Sequence, residues 1–179
     1  MGKLKCAFLD ADGVLNEAIM VDNKPAAPTS VAELKIPAEV YPSLERLKNA
    51  GYLLICITNK PDIERGLMTQ EAVDAIFAEM RKQLPLDDIF ACYHEGDDCY
   101  KPKPGMLYKA AKQYNIDLTQ SFFVGDRCKD VETGQAAPCT TIWINRHYPL
   151  EGTPNPPADF TAESLTEAVN WVLGDKEHD

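Results

Sequence analysis

The chain of 179 residues has no apolar run approaching the ~20 residues that a membrane-spanning helix needs. Its apolar start, Cys6–Leu9, ends at once in Asp10 and Asp12, too short for the core of a secretion signal. Cys6 also stands where a myristoylation signal carries Ser or Thr. Cationic residues are scarce: 18 Lys and Arg against 28 Asp and Glu leave a net charge of −10. That balance excludes nucleic acid as a partner, because phosphate backbones need clustered Lys and Arg. It also constrains any phosphorylated ligand, which would need focused positive charge from a metal ion or a placed lysine. Repeats and low-complexity segments are absent. Six Cys are present, but a chain of this length builds its own core without a disulfide framework. The expectation is a cytoplasmic monomer with reduced thiols and no membrane contact.

What is present fits one domain over residues 1–179. Five short apolar runs bounded by turn or polar residues predict strands at Leu4–Leu9, Tyr52–Thr58, Asp88–Tyr93, Ser121–Val124 and Thr140–Ile144. Between them, Val73, Ile76, Phe77, Met80 and Leu84 recur at the spacing of one helix face. Met106, Leu107, Ala110, Ala111 and Tyr114 form a second such stripe. Val40, Leu44 and Leu47 form a shorter one, and Leu165, Ala168, Val169 and Val172 a final one. Alternation of this kind predicts an α/β fold, a three-layer sandwich with a central parallel sheet covered on both faces. Such sheets bind ligands at the carboxyl ends of their strands. Asp10, Thr58, the Cys92–Lys101 segment and Asp126 all fall at predicted strand ends. The polar, Pro-containing stretch at about 14–38 reads as a flap near the site, and Tyr148–Pro157, with four Pro, as a surface loop.

Four elements carry the chemistry. In Asp10-Ala-Asp12-Gly13 two carboxylates two apart leave a buried strand, and Gly13 permits a sharp turn. Asp10 could attack phosphorus, and Asp12 could protonate a leaving oxygen and later activate water. The same motif also fits a strand end with two solvated acids. Thr58 and Asn59 follow the apolar run Leu53–Ile57 and offer a hydroxyl and amides to phosphoryl oxygens. Lys101, in Tyr100-Lys-Pro-Lys-Pro-Gly105, could neutralise a phosphate, with Lys103 as a rival. Asp126 and Asp130, after Phe122–Val124, suit Mg²⁺, which prefers hard oxygen ligands. Asp130 also fits a helix cap.

These four motifs, in this order along the whole chain, resemble the haloacid dehalogenase superfamily of phosphohydrolases. The segments DADGVLN, TNKPDIERGLMT, CYHEGDDCYKPKPGM and GDRCKD are similar to the group of heptose bisphosphate and histidinol phosphate phosphatases. The resemblance implies a Rossmann-like core without a large cap domain. It implies Asp10 as nucleophile, Asp12 as acid and base, and Thr58 and Lys101 as holders of the phosphoryl group. Mg²⁺ would sit on Asp10, the Asp12 carbonyl and Asp126, with Asp130 as a further or outer ligand. Asn59, Lys60, Tyr100 and Arg127 are the expected substrate-binding residues. Lys60, Pro61 and Asp62 depart from the group's TNQSG, and Tyr100 replaces its substrate-reading Arg. The expected substrate is therefore a small phosphomonoester, such as a sugar phosphate, with the heptose 1,7-bisphosphate itself as the alternative.

Cys92, His94 and Cys99 have zinc-ligand spacing just before Lys101. The group's loop supplies four ligands, and its third position is Asp97 here, so Cys92, His94, Asp97 and Cys99 form the candidate site for a structural Zn²⁺. The rival from another class is a phospho-accepting signalling module. Asp12 separates the two, because an enzyme needs it to turn the intermediate over.

Overall fold

Side chains of the first strand, β1 (Cys6–Leu9), alternate between two apolar layers. The computed structural model describes residues 2–175. Met1 and residues 176–179, which complete the range expected for the domain, lie outside the described residues. Ala7 and Leu9 face one core, while Cys6 and Phe8 face the other. The same alternation recurs in β4 (Leu53–Asn59), where Leu54 and Cys56 oppose Ile55 and Ile57. A strand apolar on both faces can sit only in the middle of a covered sheet.

The sheet has six strands in the order β5-β4-β1-β6-β7-β8, and every neighbouring pair is parallel. The remaining members are β5 (Asp88–Cys92), β6 (Phe122–Gly125), β7 (Thr140–Ile144) and β8 (Phe160–Ala162). One layer holds α1 (Val40–Asn49), α2 (Gln70–Gln83) and α5 (Leu165–Leu173). Their buried residues Leu44, Leu47, Ile76, Met80, Leu165 and Val169 join one core. On the other face α3 (Gly105–Tyr114) contributes Met106, Leu107 and Ala110. There too α4 (Cys128–Ala136) brings Gly134 against Phe123. Each fully buried Leu, Ile or Phe contributes roughly 1.5–3 kcal/mol. Thr69 caps α2 by accepting from the Ala72 N–H, and Ser164 caps α5 by accepting from Glu167.

The α/β class with a central parallel sheet is as expected, and four of the five expected strands shift at their ends. Leu4 is exposed and outside β1. Ser121 precedes β6 because its backbone closes a turn on Leu118, while its hydroxyl accepts from the Cys6 N–H. The sixth strand, β8, was not expected; three residues are too few to show alternation. The flap is also not plain loop. It contains an antiparallel hairpin, β2 (Ile19–Val21) and β3 (Lys24–Ala26). Asp22 and Asn23 turn it with φ of 50° and 63°, the left-handed pair that tight hairpins require. No helix among the described residues is long and apolar enough to cross a membrane.

β1 lies between β4 and β6, so the chain leaves it to one side and returns on the other. The crevice at that reversal, beyond the strand ends, is where such sheets bind ligands.

Candidate active site

Asp10 follows β1, Thr58 and Asn59 end β4, and Asp126 follows β6, so the reversal of strand order brings these residues together. The Asp10 N–H donates to the Val124 carbonyl (3.0 Å) and fixes the first carboxylate against the neighbouring strand. Lys101 arrives from the loop between β5 and α3. It is 2% exposed. Its ammonium lies 2.9 Å from Asp10 Oδ1, 2.7 Å from Asp130 Oδ1 and 3.2 Å from the Ile57 carbonyl. Lys103 is exposed and reaches only Asp98, so Lys101 is the lysine of the site.

Asn59 sets the position of that lysine. Its amide donates to the Lys101 carbonyl (3.1 Å), and its oxygen accepts from the Lys101 N–H (3.0 Å). Asn59 thus holds the Lys101 backbone and also lines the cavity. Lys60, also expected at the substrate, is absent from the cavity lining. It is buried and places its ammonium 2.8 Å from Asp12 Oδ2. It backs Asp12 and stays off the cavity wall. Asn16 donates to the other Asp12 oxygen (3.0 Å).

The carboxylates differ in their electrostatics. Burial pushes the Asp10 carboxyl up, the Asp130 charge adds to this, and Lys101 opposes both. Burial and the charges of Asp10 and Asp130 raise Asp126 well above the usual carboxylate range. Burial would raise Asp12 too, but Lys60 and the Asn16 amide outweigh it and hold Asp12 below its ordinary value. Burial likewise opposes ionisation of Asp130, and Lys101 overcomes it. Lys101 itself is held above its ordinary value, since Asp10 and Asp130 outweigh its desolvation.

Asp10, Asp126 and Asp130 bring one oxygen each within 4.8 Å of one another, all three residues buried. Among the described residues Lys101 is their one buried ammonium partner, because Lys60 is taken by Asp12. Asp126 Oδ1 is buried and has no hydrogen-bond partner among the described residues. Three hard donors, a surplus of negative charge and an orphaned oxygen fit a divalent cation such as Mg²⁺. Asp130 Oδ2 also accepts from the Arg127 N–H (3.0 Å), so this residue caps α4 and binds Lys101 at once. Gly13 is required here: its φ is +93°, and a Cβ would strike Asp126 Oδ2 and the Tyr148 hydroxyl.

A cavity of about 390 Å³ opens over these groups. Asp10, Asp12, Thr58, Lys101 and Asp126 line its floor, and Tyr100 and Arg127 stand in its wall. The Arg127 Nε is already engaged, 2.5 Å from Glu151 Oε2. Sequence reasoning missed three further cations of the wall: Lys24, Arg65 and Lys129. Lys129 stands inside the GDRCKD segment, where its closeness to Asp126 and Asp130 was the available signal. Lys24 comes from the hairpin and gave none.

The 92–99 loop departs from expectation. Cys92 and Cys99 form a disulfide, where reduced thiols were expected. Asp97 lies with the two sulfurs, but His94 is exposed and pairs with Glu64 (3.4 Å). The four-residue zinc set is therefore not assembled: the backbone turn carries the His94 ring outward, and the sulfurs bond each other.

A family model described as haloacid dehalogenase-like hydrolase matches residues 16–138, more than half of the chain. The chain belongs to that family. Along nearly its whole length it is similar to sugar-phosphate phosphatases. It is 31% identical to the D-glycero-beta-D-manno-heptose-1,7-bisphosphate 7-phosphatase of Pasteurella multocida, covering 95% of this chain and 97% of the relative. It is 32% identical to the enzyme of that name from Haemophilus influenzae, covering 91% and 94%. Among solved structures, the D,D-heptose 1,7-bisphosphate phosphatase of B. bronchiseptica, complexed with magnesium and phosphate, superposes with a TM-score of 0.83. That match has 27% identity and covers 97% of this chain and 100% of the other. The protein is a phosphatase acting on phosphomonoesters.

Proposed function

We propose that the enzyme hydrolyses a small singly phosphorylated metabolite, a sugar phosphate or a relative of one, through a phosphoryl group carried on Asp10. The observation that supports this best is the pairing of two unlike carboxylates over one cavity. Asp10 is buried and held by Lys101, whereas Asp12, two residues on, is held by Lys60. In the first step an Asp10 oxygen attacks phosphorus, the ester P–O bond breaks, and Asp12, ionised at rest, relays a proton from the substrate's phosphate monoanion to the leaving oxygen. In the second, Asp12 takes a proton from water, the water oxygen attacks phosphorus, and phosphate leaves with Asp10 restored. Lys101 and Thr58 hold the phosphoryl oxygens through both steps. Asp10, the Asp12 carbonyl and Asp126 would hold Mg²⁺, with Asp130 behind them. When bound, the ion offsets the repulsion between these carboxylates and a phosphate.

The choice of a singly phosphorylated substrate rests on Tyr100. A tyrosine offers a ring and a hydroxyl where an arginine would offer a planar, two-pronged phosphate clamp. The second reading is the heptose 1,7-bisphosphate itself. It is favoured by the relatives named above and by the wall cations Lys24, Arg65, Arg127 and Lys129. A side-by-side measurement of kcat/KM across phosphorylated sugars, polyols, amino alcohols and nucleotides decides. A large preference for the bisphosphate over every monophosphate would overturn the reading of Tyr100. Zinc belongs, in this reading, to the reduced 92–99 loop alone, where Cys92, Asp97 and Cys99 can present two thiolates and a carboxylate. The enzyme works as a single domain, a monomer in the cytoplasm.

A further inference from the structure

The Pro-containing loop that follows β7 is not a passive surface loop. Together with Trp143 at the end of β7, three of its side chains reach the acid-bearing turns. The Trp143 Nε1–H donates to the Asp126 carbonyl (3.1 Å), and the Arg146 Nε–H donates to the Gly13 carbonyl (2.9 Å). The Tyr148 hydroxyl donates to Asp126 Oδ2 (2.6 Å). Glu151 accepts from Arg127 Nε (2.5 Å) and from the Cys128 N–H (2.9 Å). A left-handed residue, His147 with φ of 56°, bends the chain between Arg146 and Tyr148. The loop therefore grips the turn after β1 and the start of α4 together.

We infer that residues 143–151 form a positioning strap for the metal-binding carboxylate, with Tyr148 as its key contact; this rests on the assignment of Asp126 to Mg²⁺. Asp126 has two oxygens with different fates. Oδ2 is held by Tyr148, while Oδ1 is buried and has no partner among the described residues. The tyrosine fixes the carboxylate plane and so presents Oδ1 to the cation. A second cavity of about 270 Å³ lies against Asp126, lined also by Trp143, Tyr148 and Glu151. Without the hydroxyl, the carboxylate has room to rotate away. Gly13 completes the device, since a Cβ there would strike both the Asp126 oxygen and the tyrosine hydroxyl. Groups that orient a metal ligand from behind typically affect metal affinity by ~10–100-fold.

The test is calorimetric titration of Mg²⁺ into wild type, Tyr148→Phe, Glu151→Gln and Asp126→Asn, with no substrate present. Tyr148→Phe keeps the ring and removes only the donor. Its Mg²⁺ affinity should fall about tenfold or more, Glu151→Gln should fall by less, and Asp126→Asn should lose binding. At saturating Mg²⁺, kcat of Tyr148→Phe should drop far less than its Mg²⁺ affinity, and the metal-free melting temperature should fall by only a few degrees. Wild-type Mg²⁺ affinity in Tyr148→Phe, alongside lost binding in Asp126→Asn, overturns the strap. Wild-type affinity in Asp126→Asn would instead overturn the metal assignment beneath it.

Discussion

Lys101→Met would keep most of the side-chain volume and remove the one cation between Asp10 and Asp130. In the wild type that ammonium sits 2.9 Å and 2.7 Å from the two carboxylates, with all three residues buried. Breaking a buried ion pair by deleting one partner costs about 3–5 kcal/mol. Against a total stability of about 5–15 kcal/mol this is a large share. For a chain of this size each kcal/mol moves Tm by roughly 2–4 °C, so Tm should fall by about 6–20 °C. The loss should depend on pH. Lys101 opposes the rise of the Asp10 carboxyl and holds Asp130 down, so without it both move up. A carboxyl whose folded pKa exceeds its unfolded value destabilises the fold above that pKa and ceases to do so as pH falls through it. The gap between variant and wild type should therefore be widest at about pH 8 and narrow towards about pH 5. Urea denaturation of both proteins in EDTA at the two pH values measures this. A gap below ~1 kcal/mol at the higher pH, the size of a surface pair, would refute the reasoning. So would a gap that widens on acidification.

Lys60→Gln should release Asp12 from its counterion, letting burial raise that carboxyl. The acid limb of the pH–rate profile should then move to higher pH, and an unmoved limb would remove Lys60 from this role. Asn59→Ala deletes both hydrogen bonds to the Lys101 backbone and should cost about 1–3 kcal/mol of stability by urea denaturation. Its kcat should fall with little change in KM; an unchanged kcat would mean that Lys101 needs no such clamp. Zinc content should follow the state of Cys92 and Cys99: near zero with the disulfide intact, and about one equivalent after reduction and zinc addition. Elemental analysis with thiol counting reads this, and zinc bound at full stoichiometry by the oxidised protein would contradict it.

The sheet was legible because its strands are buried on both faces and read as near-continuous apolar runs. β8 escaped because three residues carry no period, and β2 and β3 because none of their residues is fully buried and one is Pro25. In the site, Asp10, Asp12, Thr58, Lys101 and Asp126 stand at strand ends or just before a helix, where position along the chain predicts position in space. The sequence did not reveal that Lys60 turns inward to Asp12, or that Asn59, at the cavity, also clamps the Lys101 backbone. Adjacent residues at a strand end can serve either the cavity or its supports, and only packing chooses between them. Tyr148 meets Asp126 across 22 residues, a distance over which no local pattern operates. His94 shows the reverse case: its spacing suited a metal, but the turn carries its ring to Glu64 instead.

The decisive measurement is direct capture of the phosphorylated enzyme. Asp12→Asn protein is mixed with a phosphomonoester substrate and Mg²⁺, quenched in acid, digested and mapped by mass spectrometry. Asp10 should carry the phosphoryl group and lose it to hydroxylamine, as an acyl phosphate must, while Asp10→Asn should show neither phosphorylation nor turnover. Phosphate on any other residue, or near wild-type turnover by pure Asp10→Asn, would contradict covalent catalysis at Asp10.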